Sequence, residues 1–311
     1  MIETLSHGIH CIDTGYHRPG LAAVYLMIDD GEAAVIETGT TPTLPVVMSA
    51  LERCGVTPEQ VRWIMPTHVH LDHAGAAGAL LAQCPNATLV VHPQGARHLI
   101  DPSKLIAGAG AVYGEQNFRA MYGEIVPAPQ QRVREALDGS RWPLGGRELL
   151  VRDTPGHARH HYCIWDESSR GWFTGDTYGI GYRELYCNGE PFLIPTTTPV
   201  QFECEALLSS LALLMDANPR WCYLTHFGRI AASRAHAASL ERQLHEYLRL
   251  ADASAPGTER QRRLGDALLD YTAGLLRGAG SPLDDAQIRE LLAMDMDLNA
   301  QGLLVWLDKQ R

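Results

Sequence analysis

Three histidines and an aspartate fall within six residues, His68, His70, Asp72 and His73, in the run Thr67-His68-Val69-His70-Leu71-Asp72-His73-Ala74-Gly75. Neutral imidazoles and a carboxylate are donors suited to Zn²⁺, Fe²⁺ or Mn²⁺. A spacing of two lets His68 and His70 reach one cation from a turn, while Asp72 and His73 point toward a second position. The bland alternative is a polar loop with accidental histidines, and so dense a cluster weighs against it.

Three further candidates share one kind of placement. His157 follows a strand through Thr154-Pro155-Gly156, Asp176 follows one through Thr174-Gly175, and His226 follows one through Thr225 and precedes Phe227-Gly228. Each lies just past a strand end, where functional residues gather in α/β folds. Taken singly, His157 and His226 read equally well as turn caps and Asp176 as a turn residue. Joined to the first cluster, the three complete a ligand set for two metals.

The elements that must hold these residues alternate through the first two thirds of the chain. Residues 22–28 and 33–36 read as strands across the turn Asp29-Asp30-Gly31. Further strands are expected at 61–65, 88–91, 148–152, 162–165, 172–174 and 221–224. Helices are expected at 44–54, stopped by Gly55, at 75–83, from Pro93 onward and at 199–215. Residues 101–129 read as helical turns plus a loop, and 178–199 as a functional loop or lid, being longer than most connections. From Ser233 the pattern is helical only, at 233–250, 259–276, 284–294 and 298–309. The expected division is therefore a main domain over 1–232 and a helical extension over 233–311 packed on it.

In their order along the chain, His-x-His-x-Asp-His at 68–73, Thr154-Pro155-Gly156-His157, Thr174-Gly175-Asp176-Thr177 and Thr225-His226 resemble the metallo-β-lactamase-fold superfamily of hydrolases. Leu298-Asn299-Ala300-Gln301-Gly302-Leu303 is similar to the C-terminal helix of many members. The resemblance implies an α/β fold, a four-layer αββα sandwich with a C-terminal helical extension. It implies that His68, His70 and His157 hold one metal, that Asp72, His73 and His226 hold the other, and that Asp176 bridges them. It implies two divalent ions, Zn²⁺ foremost with Fe or Mn as alternatives, and a bridging hydroxide as nucleophile. Asp72 is then also the catalytic carboxylate that orients the nucleophile or passes its proton on.

Two places depart from the pattern. The strand-end motif that commonly contains aspartate reads Ile36-Glu37-Thr38-Gly39, so either a longer carboxylate does that orienting work or Glu37 is a turn residue. His160 and His161 follow His157 closely, and read either as groups that orient ligands or as a hydrogen-bonded structural pair. Tyr178, two residues past Asp176, is the expected substrate-contacting phenol.

Composition narrows the function. The 311 residues carry 26 Lys+Arg against 36 Asp+Glu, a net charge of −10, which argues against nucleic acid as a partner. Residues 1–10 lack a basic or apolar leader and no window suits a membrane span, so a cytoplasmic protein without membrane contact is expected. The seven cysteines include no Cys-x-x-Cys pair and read as reduced. The expected partner is a small molecule, with a homodimer left open. Hydrolysis of a small ester, lactone or thioester leads. The alternatives are a redox enzyme similar to mononuclear iron persulfide dioxygenases, and a ligand-sensing protein that kept the metal site without turnover.

Overall fold

Apolar side chains run without interruption from Ala23 to Ile28, which suits a strand buried on both faces. The computed structural model describes residues 1–310, the side chains of 111–113 excepted. It places that run in a hairpin, β3 below. The turn residues Asp30 and Gly31 both take left-handed φ, 47° and 79°, as a two-residue turn matching strand twist requires. The chain divides into two compact units, one of Met1–Asp153, His160–Gly175 and Arg220–Arg229, the other of Thr154–Arg159, Asp176–Pro219 and Ile230–Arg311.

In the first unit, β1 (Ile2–Thr4), β2 (Ile9–Asp13), β3 (Ala23–Asp29), β4 (Glu32–Ile36), β5 (Val61–Met65), β6 (Thr88–Val91) and β7 (Val133–Glu135) lie side by side in chain order. Neighbours are antiparallel up to β4 and parallel beyond it. The parallel strands need crossovers, which α1 (Leu44–Arg53), α2 (Leu71–Ala74), α3 (Ala77–Gln83), α4 (Pro93–Ile100), α5 (Ser103–Tyr113) and α6 (Glu115–Tyr122) supply. Val47 and Leu51 of α1, Leu80 and Leu81 of α3 and Leu99 of α4 pack with Val24, Leu26, Val35, Ile64 and Leu89 in one buried cluster. That cluster coats one face of the sheet.

The other face meets a second sheet. It runs in the order β13 (Gly228–Ala231), β12 (Trp221–Leu224), β11 (Gly171–Gly175), β10 (Tyr162–Asp166), β9 (Arg147–Asp153), β8 (Arg141–Leu144). Strands β8 to β11 are antiparallel and β11 to β12 parallel. Tyr25 of β3 sets its ring 5.2 Å from Phe173 and 5.7 Å from Tyr223, and its hydroxyl donates to the Leu224 carbonyl at 2.6 Å. Arg147 reaches Asp29 at 2.8 Å and Asp166 at 3.5 Å, a charge taken from water by both sheets and paired on each side.

The second unit holds α7 (Cys204–Asp216), α8 (Arg234–Ala253), α9 (Arg260–Gly278) and α10 (Asp285–Gln310). Two expectations need correction here. The helix expected over 199–215 starts only at Cys204, and the two expected at 284–294 and 298–309 are one continuous α10. Asp295, in the gap between the two expected helices, is buried and accepts from the Tyr182 hydroxyl at 3.2 Å, so the helix continues with it inside. Residues 178–199 form the expected long connection, pinned by mutual backbone hydrogen bonds of Ile180 and Ile194. Among the described residues no helix is long and apolar enough to cross a membrane.

Candidate metal centre

Strand β5 ends at Met65, and the chain leaves its carboxyl end through Thr67 and His68 into the short helix α2, whose first turn carries Asp72 and His73. Buried carboxylates persist only when hydrogen bonded, and one such carboxylate organises this corner. Glu37, just past β4, is 1% exposed and holds a left-handed φ of 65°, strained for a residue with a Cβ. Its Oε1 accepts from the Thr67 hydroxyl at 2.6 Å, from His73 Nδ1 at 3.1 Å and from the Thr225 hydroxyl at 3.0 Å. Its Oε2 accepts from the Thr67 amide at 3.1 Å. Glu37 thus combines the two readings, sitting at a left-handed turn while its carboxylate bonds Thr67, His73 and Thr225.

These bonds fix tautomers. His73 spends its Nδ1 proton on Glu37, which leaves a lone pair on Nε2. Thr67 gives its single hydroxyl proton to Glu37, so the same oxygen accepts from His68 Nδ1 at 3.1 Å and leaves His68 Nε2 basic. His68 Nε2 lies 2.8 Å from His70 Nδ1. His226 donates Nδ1–H to the Leu21 carbonyl at 2.7 Å, again exposing Nε2.

The Nε2 atoms of His73 and His226 converge on Asp72. Its Oδ2 lies 3.4 Å from His73 Nε2 and 3.3 Å from His226 Nε2, and the three residues turn donor atoms to within 4.8 Å of one another. Burial alone would raise the Asp72 carboxyl; when His73 and His226 carry a second proton, on Nε2, their charge and N–H groups outweigh burial and hold it well below the usual carboxylate range. Burial pushes His70 down to about 4. His160, about 3, and His161, well below its ordinary value, are likewise kept neutral by burial and by neighbouring histidines. The ring of His161 stacks 4.9 Å from that of His68, and His160 meets the edge of His70 at 5.7 Å, so both pack against expected ligands.

In the second unit, His157 Nε2 lies 3.5 Å from Asp176 Oδ2. Thr196 gives its hydroxyl proton to the Asp176 carbonyl at 3.1 Å, so the same oxygen accepts from His157 Nδ1 at 2.9 Å. His157 therefore shows the same tautomer as His68, His73 and His226.

This donor chemistry fits divalent metal. His73, His226 and His157, each with Nδ1 satisfied by a carboxylate, carbonyl or hydroxyl and Nε2 turned toward a carboxylate, match the support that metal-bound histidines need. Tyr178 is placed differently from a surface phenol. It is fully buried, donates to the Ser233 carbonyl at 2.7 Å and accepts from the Ser233 amide at 3.2 Å, tying down the start of α8.

Sequence reasoning did not single out Thr67, Thr225 or Thr196. For the first two a signal existed, since each precedes a candidate histidine; Thr196 sits in the run Thr196-Thr197-Thr198 and carried none.

Comparison with known proteins places this arrangement in context. The model of the metallo-beta-lactamase superfamily matches residues 17–226. A metallo-beta-lactamase fold-containing protein of Sulfurisphaera tokodaii is 29% identical over 229 residues, 72% of this chain and 80% of its own. A hydroxyacylglutathione hydrolase of Cronobacter sakazakii is 27% identical over 243 residues, with the same two coverages. The solved structure of a metallo-beta-lactamase family protein from Thermus thermophilus superposes with a TM-score of 0.70 at 22% identity, over 97% of this chain and 94% of that one. Two mixed sheets with helices and further C-terminal helices are thus the expected α/β architecture, and the match over 17–226 makes the chain a member of the metallo-β-lactamase superfamily.

Proposed function

We propose that the chain is a binuclear metallo-hydrolase acting on a small ester, lactone or thioester. One observation carries the reading: Asp72, His73 and His226 meet with the far nitrogen of each histidine already committed, to Glu37 and to the Leu21 carbonyl. In this reading His68, His70 and His157 would hold one ion, Asp72, His73 and His226 would hold the other, and Asp176 would serve both. Zinc is the leading ion, with iron or manganese as alternatives. The domain that hydrolyses spans 1–232, and 233–311 is its helical extension.

Bound metal supplies a water that ionises near neutral pH and an electrophile for the substrate carbonyl oxygen. The protein's own part is positional and protonic. Asp72, 3.4 Å from His73 Nε2 and 3.3 Å from His226 Nε2, would accept a proton from the attacking water and return it to the leaving group. Glu37, through Thr67 and His73, keeps the imidazoles from turning their protonated nitrogens inward. The neutral rings of His160 and His161 exclude water without adding charge.

The test is metal analysis of anaerobically purified protein, paired with ester, lactone and thioester substrates. About two ions per chain and activity abolished by a chelator are expected. A fully loaded protein inert across all three classes would overturn the proposal, as would one iron per chain with oxygen uptake on glutathione persulfide.

A further inference from the structure

Helix α10 carries a buried polar residue that no step above uses. Asn299 is 2% exposed on a helix whose other buried residues include Leu292, Met296 and Leu303. A buried amide is costly unless its polar atoms are paired. Here Oδ1 accepts from the Thr197 amide at 2.6 Å and Nδ2 donates to the Pro195 carbonyl at 3.1 Å. The Thr197 hydroxyl donates to the Asn299 carbonyl at 3.0 Å. One turn along, Gly302 lets the helix lie flush on this segment: a Cβ there would overlap the Thr197 carbonyl oxygen and crowd its carbon at 2.7 Å.

The two clamped residues, Pro195 and Thr197, flank Thr196. A threonine hydroxyl goes where its backbone goes, since its χ1 is stiff. Thr196 is the residue that accepts from His157 Nδ1 and donates to the Asp176 carbonyl. Asn299 thus stands one backbone link behind the group that sets the His157 tautomer.

We propose that Asn299, seated by Gly302, is a positioning residue for the metal centre, acting through Thr196 on His157. This rests on the reading of His157 as a metal ligand. The motif Asn299-Ala300-Gln301-Gly302 then has a task beyond packing: the amide grips the backbone, and the glycine admits it. A purely structural Asn299 would stabilise α10 and leave the imidazole indifferent.

The experiment compares wild type, His157→Ala, Thr196→Val, Thr196→Ser, Asn299→Ala and the Thr196→Val/Asn299→Ala double variant. Each is read by Zn²⁺ affinity against a competing chelator and by the absorption spectrum of the Co²⁺-loaded protein, with thermal unfolding alongside. Thr196→Val and Asn299→Ala are each expected to weaken Zn²⁺ binding about tenfold and alter the Co²⁺ spectrum, the low end of what losing a ligand's hydrogen-bond partner costs. Thr196→Ser should restore both. In the double variant Asn299→Ala should add almost nothing, because the link it acts through is already cut. Should Asn299→Ala fail to fold, Asn299→Ser, which keeps a shorter polar group, is read the same way. An Asn299 variant that lowers thermal stability but leaves affinity and spectrum at wild-type values overturns the inference, as does full additivity in the double variant. If His157→Ala leaves Zn²⁺ affinity unchanged, the ligand reading fails and takes the inference with it.

Discussion

Glu37 Oε1 accepts from His73 Nδ1 at 3.1 Å while the same carboxylate collects Thr67 and Thr225, so one buried anion sets the rings on which the proposed second ion and part of the first depend. Removing it leaves several buried donors without an acceptor, at about 1–3 kcal/mol each. Glu37→Ala should therefore destabilise the metal-free protein by at least about 2 kcal/mol in urea unfolding. Glu37→Gln keeps the volume but turns an amide toward the Thr67 amide, and should weaken metal binding about 10- to 100-fold. Wild-type metal affinity in Glu37→Gln would show that the carboxylate only stabilises the turn.

His70→Ala and Asp176→Ala should each lower the metal content per chain and abolish hydrolysis, while circular dichroism stays close to wild type. Both remove a donor without opening a large apolar cavity, so the fold has little reason to fail. Unchanged stoichiometry in both variants would sink the ligand assignment.

The buried histidines predict a pH dependence for the metal-free protein. His70 and His160 refuse protons in the folded state down to about 4 and about 3, whereas an unfolded histidine takes one near its ordinary value. From roughly pH 6.5 downward the unfolded chain binds more protons, so stability falls as pH drops through that window and is fully present above it. Asp72, lowered in the folded state, acts in the same direction but at lower pH, as its stabilising charge is titrated away. Urea midpoints of chelated protein at about pH 7.5 and about pH 5 should differ measurably, and His160→Gln should narrow the gap. Equal midpoints would contradict the account.

Tyr178→Phe deletes a buried hydroxyl that serves the Ser233 backbone. A loss of about 1 kcal/mol of stability is expected, with KM within about twofold of wild type. A large rise in KM at unchanged stability would instead return the phenol to substrate contact.

Much of the frame was legible because the strands announce themselves. The runs at 61–65, 88–91 and 221–224 are rich in β-branched and aromatic residues, and the strands observed there keep those bounds. Strands β1, β2, β7, β8 and β13 were not read, being short, more polar and defined by their neighbours in the sheet rather than by their own pattern. The donor cluster at 68–73 was visible as composition. What orients the candidate donors was not: Thr196 beside His157 and the Leu21 carbonyl beside His226 act through geometry that no residue type encodes, and Glu37 gained meaning only when Thr67, His73 and Thr225 closed on it.

The Ala23 amide donates to the Thr225 carbonyl at 2.8 Å, and Tyr25 secures the neighbouring Leu224, so His226 is delivered to His73 by a strand that the ribosome makes long after the His68–His73 run. Closing so wide a loop is slow and comes late. Under the proposed ligand set, the early histidines alone would be an incomplete chelator until β12 docks and brings His226. With the proposed ligand set, metal capture would therefore mark the completion of folding rather than seed it.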